Sequence, residues 1–171
     1  MWFLGIAEEL PKMPIRVGEF LPSAQMTIGS PGNKIDIRDY CRYKKTLLVG
    51  VVGAFTPTCN SQVPQIIAEA DELKTNGVDQ IACITVNDIF VCNEWARLLN
   101  FGDKLEILAD EMGEFAQAIG ITADNLVDLL GNVRSGRFLM LVVDNKVMEI
   151  AIEDDPAVMT CTGIQHAKAW V

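Results

Sequence analysis

The chain has 171 residues, of which 50% are hydrophobic and 22% are charged, and this length predicts one domain over residues 1–171 with its own core. Its formal net charge is −9, which disfavours nucleic acid as a partner because an acidic surface repels phosphate backbones. No apolar stretch approaches the roughly 20 residues that span a bilayer, so we expect no membrane partner.

The start of the chain carries a short apolar run, residues 2–6. No positive charge precedes the run, and Glu8 and Glu9 follow it too soon for a signal peptide. We therefore expect a cytoplasmic protein, or a mitochondrial one if a transit peptide precedes Met1.

The first predicted elements are a hairpin and a buried strand. Residues 25–28 and 34–37 flank a turn rich in Gly, Ser, Pro and Asn, a pattern typical of a β-hairpin. Residues 46–52 are almost continuously apolar, as in a central strand that is covered on both faces.

A long helix is predicted after the loop of residues 53–59. Apolar residues recur at helical spacing and form one stripe: Val63, Ile66, Ile67, Ala70 and Leu73. Pro64 fits a helix only in the first turns, where its missing N–H is not needed, and Gly77 is expected to end the helix.

The rest of the chain continues to alternate strands with helices. The remaining predicted elements are a strand over 80–86, a helix capped by Asn87 or Asp88 that runs to Leu99, a strand over 105–109, a short helix over 114–119, a hairpin of 137–143 and 147–152, and a C-terminal helix within 162–171. This order predicts a three-layer α/β fold with a mixed central sheet and an N-terminal β-hairpin. The thioredoxin-like fold is one member of that class.

The chain contains five cysteines in an odd, widely spaced set: Cys41, Cys59, Cys83, Cys92 and Cys161. No C-x-x-C pair occurs, so the sequence predicts neither a zinc site nor a thioredoxin-type redox pair. Without a secretory signal, reduced thiols in a reducing compartment are expected.

Cys59 is the best candidate nucleophile by position. It lies between a buried strand and an amphipathic helix, at the sheet edge where α/β proteins place their sites. The free N–H groups and the dipole of a helix N-terminus favour a thiolate, which is the attacking form of cysteine. On position alone, a small buried side chain without chemistry is an equally good interpretation.

Two further side chains are candidates to support Cys59. Thr56 lies three residues earlier, and its hydroxyl can either reach the sulfur or bond its own backbone. Arg137 opens an apolar strand and stays charged at every physiological pH. The residues alone favour plain solvation of such a strand-end arginine.

Four motifs follow one another from about residue 15 to the end of the chain. They are Gly-Ala-Phe-Thr-Pro-Thr-Cys at 53–59, Ile-Thr-Val-Asn-Asp at 84–88 with Glu94-Trp95, Arg137-Phe138, and Met-Thr-Cys at 159–161. In this combination and order they resemble the peroxiredoxin-V group, the atypical two-cysteine peroxiredoxins.

The resemblance implies a thiol-dependent peroxidase in which Cys59 is peroxidatic and becomes a sulfenic acid. Thr56 and Arg137, with the backbone N–H groups of Thr58 and Cys59, would bind and orient the peroxide. Cys161 would resolve the sulfenic acid as an intramolecular disulfide with Cys59, after local unwinding.

The resemblance also implies partners and substrates. Hydrogen peroxide and small alkyl hydroperoxides are the expected substrates, with peroxynitrite as a further one. The expected reductant is thioredoxin, with glutaredoxin or glutathione as the alternative. No metal or organic cofactor is needed, and a homodimer is expected.

The chain departs from the family motif at two positions. Val52 stands where the motif has a proline, and Thr58 where glycine is frequent, so we expect a changed pocket and reduced or altered activity. Two other functions stay open: a one-cysteine peroxidase with an idle Cys161, and a redox-sensing or chaperone-like binding module with weakened catalysis.

The other candidate residues have simpler interpretations. Cys83 and Cys92 are predicted to be buried core residues, whereas Cys41 is predicted to be an idle exposed thiol near a turn. The acidic loop before Cys161 indicates exposure and mobility. His166, the only histidine, is predicted to be on the surface.

Overall fold

A seven-stranded mixed sheet forms the centre of the computed structural model, which describes residues 12–171. Its strands are β1 (Gln25–Ile28), β2 (Lys34–Asp36), β3 (Lys45–Val51), β4 (Gln80–Thr85), β5 (Glu106–Ala109), β6 (Phe138–Val143) and β7 (Lys146–Ile152). The spatial order is β2-β1-β5-β4-β3-β6-β7. The strands β3, β4 and β5 are parallel, and the two outer hairpins add antiparallel strands.

Helices cover both faces of the sheet. They are α1 (Ile37–Cys41), α2 (Pro57–Thr75), α3 (Ile89–Leu98), α4 (Glu114–Ala118), α5 (Val127–Leu130), which follows a 3-10 turn at Asp124–Leu126, and α6 (Ile164–Ala169). Buried residues of α2, α3 and α6 pack on one face, and those of α1 and α4 pack on the other. The predicted three-layer α/β fold is therefore confirmed, while the expectations for residues 2–6 and for Glu8 and Glu9 lie outside the described residues.

Side chains of the central strand β3 pack into the cores on both faces of the sheet. Leu47, Val49 and Val51 contribute to the core under α2, α3 and α6, whereas Leu48 joins the opposite core. Because side chains alternate along a strand, a continuous apolar run fills both cores at once.

Most predicted elements form where the sequence places them. The strands β1 and β2 pair as the predicted N-terminal hairpin. Asp144 and Asn145 turn between β6 and β7 with positive φ angles of 46° and 69°, as two-residue hairpin turns require. Asp88 caps α3 by accepting hydrogen bonds from the backbone N–H groups of Phe90 and Val91.

The prediction that Cys41 is an exposed thiol is wrong. Asp36 caps a short helix, α1, that the sequence pattern did not predict, by accepting a hydrogen bond from the N–H of Arg38. This helix places Cys41 in the core with no exposed surface. Burial raises the pKa of Cys41 to about 12, outweighing the opposing effects of Thr46 and Lys44.

The expectation that Pro64 lies in the first turns of its helix is also wrong. The helix α2 begins at Pro57, so Pro64 lies inside it, where it removes the N–H that would bond the carbonyl of Asn60. The buried stripe that includes Val63 and Ile66 packs against the sheet, and this packing holds the helix together across the missing bond.

The structure contains no candidate for a membrane span among residues 12–171, because none of those helices is both long and apolar enough.

Candidate active site

Cys59 lies in the first turn of α2, at the carboxyl end of β3. Thr56 is the N-cap residue and Pro57 the first helical residue, and no side chain caps the N–H groups of this turn. The Cys59 side chain is 0% exposed. The helix dipole and the unpaired N–H groups therefore act on a sulfur that solvent does not screen.

Asn87, just after β4, holds the loop that leads into α2. Its Oδ1 accepts hydrogen bonds from the Ala54 N–H at 2.9 Å and from the Thr85 hydroxyl at 2.8 Å. Phe55 in the same loop has a φ of 66°, a conformation that costs a non-glycine residue energy. The carboxyl ends of β3 and β4 are thus tied together beside Cys59.

Trp95 fixes α3 against the first turn of α2. Its indole Nε1 donates to Oδ1 of Asn60 at 2.7 Å, and its ring is buried and contacts Phe101 edge-on. Asn60 directly follows Cys59, so the fluorescence of this indole can report changes at the sulfur.

Arg137 contacts the sulfur of Cys59 from the neighbouring strand. Its Nη1 and Nη2 donate to Sγ at 3.4 and 3.5 Å, its Nε donates to the carbonyl of Pro156 at 3.0 Å, and Nη1 also donates to Oε1 of Gln62 at 2.6 Å. With 1% exposure, the guanidinium is held on several sides. The residues alone favoured solvation of Arg137, and that interpretation is wrong.

Gly50 allows β6 to bring Arg137 to this position. Gly50 pairs with Phe138 across β3 and β6, and a Cβ at Gly50 would lie 2.0 Å from the Phe138 ring. The ring thus occupies the space that any larger residue would need. Arg137 directly precedes Phe138, so this close packing fixes the position of the Arg137 backbone and with it the position of the guanidinium beside Cys59.

No carboxylate of residues 12–171 forms an ion pair with Arg137. A buried guanidinium needs a counter-charge, because desolvation of an unpaired ion costs several kcal/mol. Its remaining partners, the carbonyl of Pro156 and the amide of Gln62, are neutral. A thiolate at Cys59 is the group in direct contact that can supply the negative charge.

Gln62 belongs to the cluster around Arg137, and the sequence did not point to it. Its side chain is fully buried, accepts from Arg137 and donates through Nε2 to the carbonyl of Thr162 at 2.9 Å. The one feature of the sequence that could have indicated Gln62 is its place one position before Val63, at the edge of the apolar stripe of α2. A buried amide at such a place must have partners, but the sequence does not say which.

The two threonines use their hydroxyls on backbone carbonyls. Thr56 donates to the carbonyl of Gly53 at 2.9 Å, so of the two predicted possibilities its hydroxyl bonds the backbone and does not donate to the sulfur. Thr58 donates to the carbonyl of Ala157 at 2.6 Å. A hydroxyl that has given its proton away still offers lone pairs. Thr56 can therefore accept a hydrogen bond from a ligand beside Cys59.

Cys161 lies near this cluster but is not bonded to Cys59, since both are free thiols. Its Sγ donates to the carbonyl of Ile152 at 3.3 Å. Burial and the nearby charge of Glu153 raise the pKa of Cys161. The loop before Cys161 is predicted to be exposed, and this prediction is only partly right. Asp154 is exposed, but Glu153 is buried.

The remaining candidates lie where the sequence predicts them. Cys83 and Cys92 are buried in the core. Burial raises the pKa of Cys83 well above that of a free thiol and raises the pKa of Cys92 to about 12, so both are protonated at neutral pH. His166 lies exposed on α6. No cluster of three potential metal ligands occurs among residues 12–171.

A cavity of about 280 Å³ opens beside Arg137. Besides Arg137 it is lined by Val52, Thr56, Pro57, Thr58, Leu126, Leu129, Leu130, Pro156 and Ala157. Most of these side chains are apolar, and Val52 is buried in the wall. The cavity thus joins a polar end at Arg137, whose guanidinium contacts the sulfur of Cys59, to an apolar remainder.

A buried cysteine at a helix N-terminus, with an arginine on its sulfur and a thioredoxin-like sheet beneath it, defines the class of thiol-dependent redox proteins. Comparisons with known proteins agree. The family model "Redoxin" matches residues 16–162. "Peroxiredoxin-2E, chloroplastic" from Arabidopsis thaliana is 35% identical, over 91% of this chain and 69% of the relative.

Two solved structures extend the match. Peroxiredoxin 5 from Alvinella pompejana is 36% identical, with a TM-score of 0.82 over 91% of this chain and 97% of that one. Reduced Prx3 from Vibrio vulnificus in complex with H₂O₂ is 31% identical, with a TM-score of 0.84 over 92% and 99%. The chain belongs to the Redoxin family and is a peroxiredoxin, an oxidoreductase that reduces peroxides through a thiol.

Proposed function

We propose that Cys59 is the peroxidatic cysteine and that Thr56, Thr58 and Arg137 bind and activate the peroxide. The observation that carries the proposal is the buried contact between Arg137 and the sulfur, with no carboxylate of the described residues to neutralise the guanidinium. The Cys59 thiolate attacks the terminal peroxide oxygen, the O–O bond breaks, and the leaving alkoxide or hydroxide takes up a proton. The products are a Cys59 sulfenic acid and an alcohol or water.

The groups around Cys59 have distinct roles in this step. The oxygen of Thr56, whose proton is given to Gly53, accepts the peroxide O–H. The Arg137 guanidinium and the N–H groups of Thr58 and Cys59 stabilise the charge that develops as the O–O bond breaks.

The apolar part of the cavity supports alkyl hydroperoxides as substrates besides hydrogen peroxide. The alkyl group would lie against Leu126, Leu130 and Val52, while the peroxide end reaches Cys59. Peroxynitrite, a small anion, would be a further substrate because Arg137 is cationic. The relative from Vibrio vulnificus was solved with H₂O₂.

In the second step, Cys161 resolves the sulfenic acid. Its thiolate attacks Sγ of Cys59, the S–O bond breaks, and the hydroxide that leaves takes up the proton lost by Cys161 to become water. The intramolecular disulfide is then reduced by thioredoxin, which supplies two electrons and two protons.

Substitution of Cys59 tests the assignment. Cys59→Ser should abolish thioredoxin-coupled peroxide consumption, measured by NADPH oxidation with thioredoxin reductase. Cys92→Ser is the matched control and should keep turnover, since Cys92 lies in the core and its sulfur donates to the carbonyl of Asn87, a bond that a serine hydroxyl can keep. Unchanged turnover in Cys59→Ser would end the proposal.

A one-cysteine mechanism is the main alternative, because Cys161 is directed at Ile152 and not at Cys59. In that case glutathione or glutaredoxin reduces the sulfenic acid directly. Cys161→Ser would then keep full turnover with small thiols, and peptide mapping after mild oxidation would find no Cys59–Cys161 disulfide.

A redox-sensing or chaperone-like role is a second alternative, favoured by Val52 in the wall of the cavity. It predicts that Cys59 oxidises no faster than a free thiol. If Val52 is the cause, Val52→Pro should raise the rate, and an unchanged rate would exclude Val52 as its origin.

Assembly and compartment belong to the proposal as well. We expect a homodimer, which sedimentation equilibrium tests, and a cytoplasmic location, which imaging of the tagged chain tests. One relative is chloroplastic by name, so an organelle is the alternative outcome.

A further inference from the structure

A buried carboxylate holds the segment that contains Cys161. The Oε1 of Glu153 accepts hydrogen bonds from the backbone N–H groups of Thr160 at 2.7 Å, of Cys161 at 2.8 Å and of Thr162 at 2.8 Å. The hydroxyls of Thr162 and Thr160 donate to its two oxygens at 2.8 and 2.5 Å. One side chain thus fixes three consecutive backbone N–H groups.

These donors, and no cation, compensate the charge of Glu153. The side chain is 5% exposed and forms no ion pair with a basic group of residues 12–171. Burial raises its pKa, but the hydrogen bonds from Thr160, Thr162 and Cys161 outweigh burial and lower the pKa to about 2. Glu153 therefore stays charged, and its bonds are of the stronger, charge-assisted kind.

The same stretch, residues 153–162, also completes the pocket around Cys59. The carbonyl of Pro156 accepts from Nε of Arg137, and the carbonyl of Ala157 accepts from the hydroxyl of Thr58. At its far end, Thr162 accepts from Gln62. Movement of this stretch would therefore change the surroundings of Arg137.

Formation of the proposed disulfide requires the Sγ of Cys161 to give up its hydrogen bond to Ile152. A disulfide needs the two Cα atoms about 4.4–6.8 Å apart with sulfurs facing each other, whereas Sγ of Cys161 is directed at the carbonyl of Ile152. We propose that Glu153 is a positioning residue that holds Cys161 back until Cys59 is oxidised, so that its hydrogen bonds to residues 160–162 limit the rate of disulfide formation. This inference rests on the proposed roles of Cys59 and Cys161.

The two chemical steps should respond differently to Glu153. With the carboxylate in place, the pocket is complete for attack on peroxide, and the Cys161 segment is held. Weaker bonds from residue 153 release Cys161 earlier but give no help to the first step. A general loss of structure would instead slow both steps.

Glu153→Gln tests the inference, because it keeps the shape of the side chain and removes the charge. After mixing with one equivalent of H₂O₂, acid-quenched samples are alkylated and the sulfenic acid and disulfide forms are quantified by mass spectrometry. We expect disulfide formation to become about tenfold faster, which corresponds to the loss of one charge-assisted hydrogen bond. The rate of Cys59 oxidation should not rise.

Two further variants make the test specific. Glu149→Gln removes an exposed carboxylate of β7 and should leave the rate of disulfide formation unchanged. Thr160→Val removes one hydroxyl that donates to Glu153, from an exposed residue of the segment. We expect the rate of disulfide formation to rise about two- to tenfold. This second variant retains the test if Glu153→Gln does not fold.

The results separate this inference from the proposed function. A Cys59–Cys161 disulfide that forms at the wild-type rate, or more slowly, in folded Glu153→Gln or Thr160→Val overturns the role of Glu153 alone. Absence of that disulfide in the wild-type protein, with full turnover in Cys161→Ser, instead overturns Cys161 as the resolving cysteine.

Discussion

In the proposed mechanism, chemistry at Cys59 depends most on the guanidinium of Arg137. It is buried, it contacts the sulfur with two nitrogens, and its other partners are neutral. In a buried site, such a fixed charge would stabilise both the thiolate and the charge that leaves with the second peroxide oxygen.

Arg137→Met should slow Cys59 oxidation by H₂O₂ by roughly 10²–10³-fold, the cost typical of removing one oxyanion-stabilising donor. Methionine fills much of the space but carries no charge. Stopped-flow fluorescence of Trp95 measures the rate. Arg97→Met, which removes only an exposed partner of Glu94, is the control, and equal rates in the two variants would contradict the role of Arg137.

Glu153 gives the stability of the fold a predictable pH dependence. Its pKa in the folded protein, about 2, is below the ordinary value of 4.5, so the unfolded chain binds its proton more readily. The stabilisation is therefore complete above about pH 4.5 and is lost as pH falls toward 2.

Glu153→Gln should lower the free energy of unfolding at pH 7 by about 1–3 kcal/mol, because several donors lose a charged acceptor. Urea denaturation at pH 7, 5, 4 and 3 measures it. The difference from the wild type should be constant from pH 7 to 5 and shrink below that. A difference independent of pH down to 3 would mean that the charge of Glu153 does not stabilise the fold.

Among the elements, regular strands and long helices were predictable and short ones were not. The apolar run of β3 and the stripe of α2 carry clear periodic signals. In contrast, α1 has only five residues and follows β2 without a break in pattern, so the pattern predicts that Asp36 continues the strand, not that it caps a helix. The 3-10 turn at Asp124–Leu126 and α5 are too short for any period to appear.

The pairing of β3 with β6 depends on Gly50. Gly50→Ala should destabilise the fold by about 1–3 kcal/mol, because a Cβ would overlap the Phe138 ring. Thermal unfolding measures it. Gly163→Ala is the control, since a Cβ there meets no atom within 4 Å and its φ of −74° suits alanine. Equal melting temperatures for the two variants would contradict the packing argument.

The topology of the sheet assembles the site from distant parts of the sequence. Arg137 and Cys59 are 78 positions apart and meet because β6 is the neighbour of β3. Cys59 was identifiable from local position, whereas Arg137 needed the family resemblance. Gln62 was not predicted because its hydrogen-bond partners lie 75 and 100 positions away in the sequence. Glu153 was not predicted because the fold of its own loop brings it to partners 7 to 9 positions away, and no sequence pattern indicates these contacts.

The decisive measurement is the second-order rate constant for oxidation of Cys59 by H₂O₂. Stopped-flow mixing under Trp95 fluorescence should show one fast phase that is first order in peroxide, roughly 10³-fold or more above the rate of free cysteine, and absent in Cys59→Ser. A rate equal to that of free cysteine, or a phase that persists without Cys59, would contradict a thiolate held by Arg137 as the reacting group.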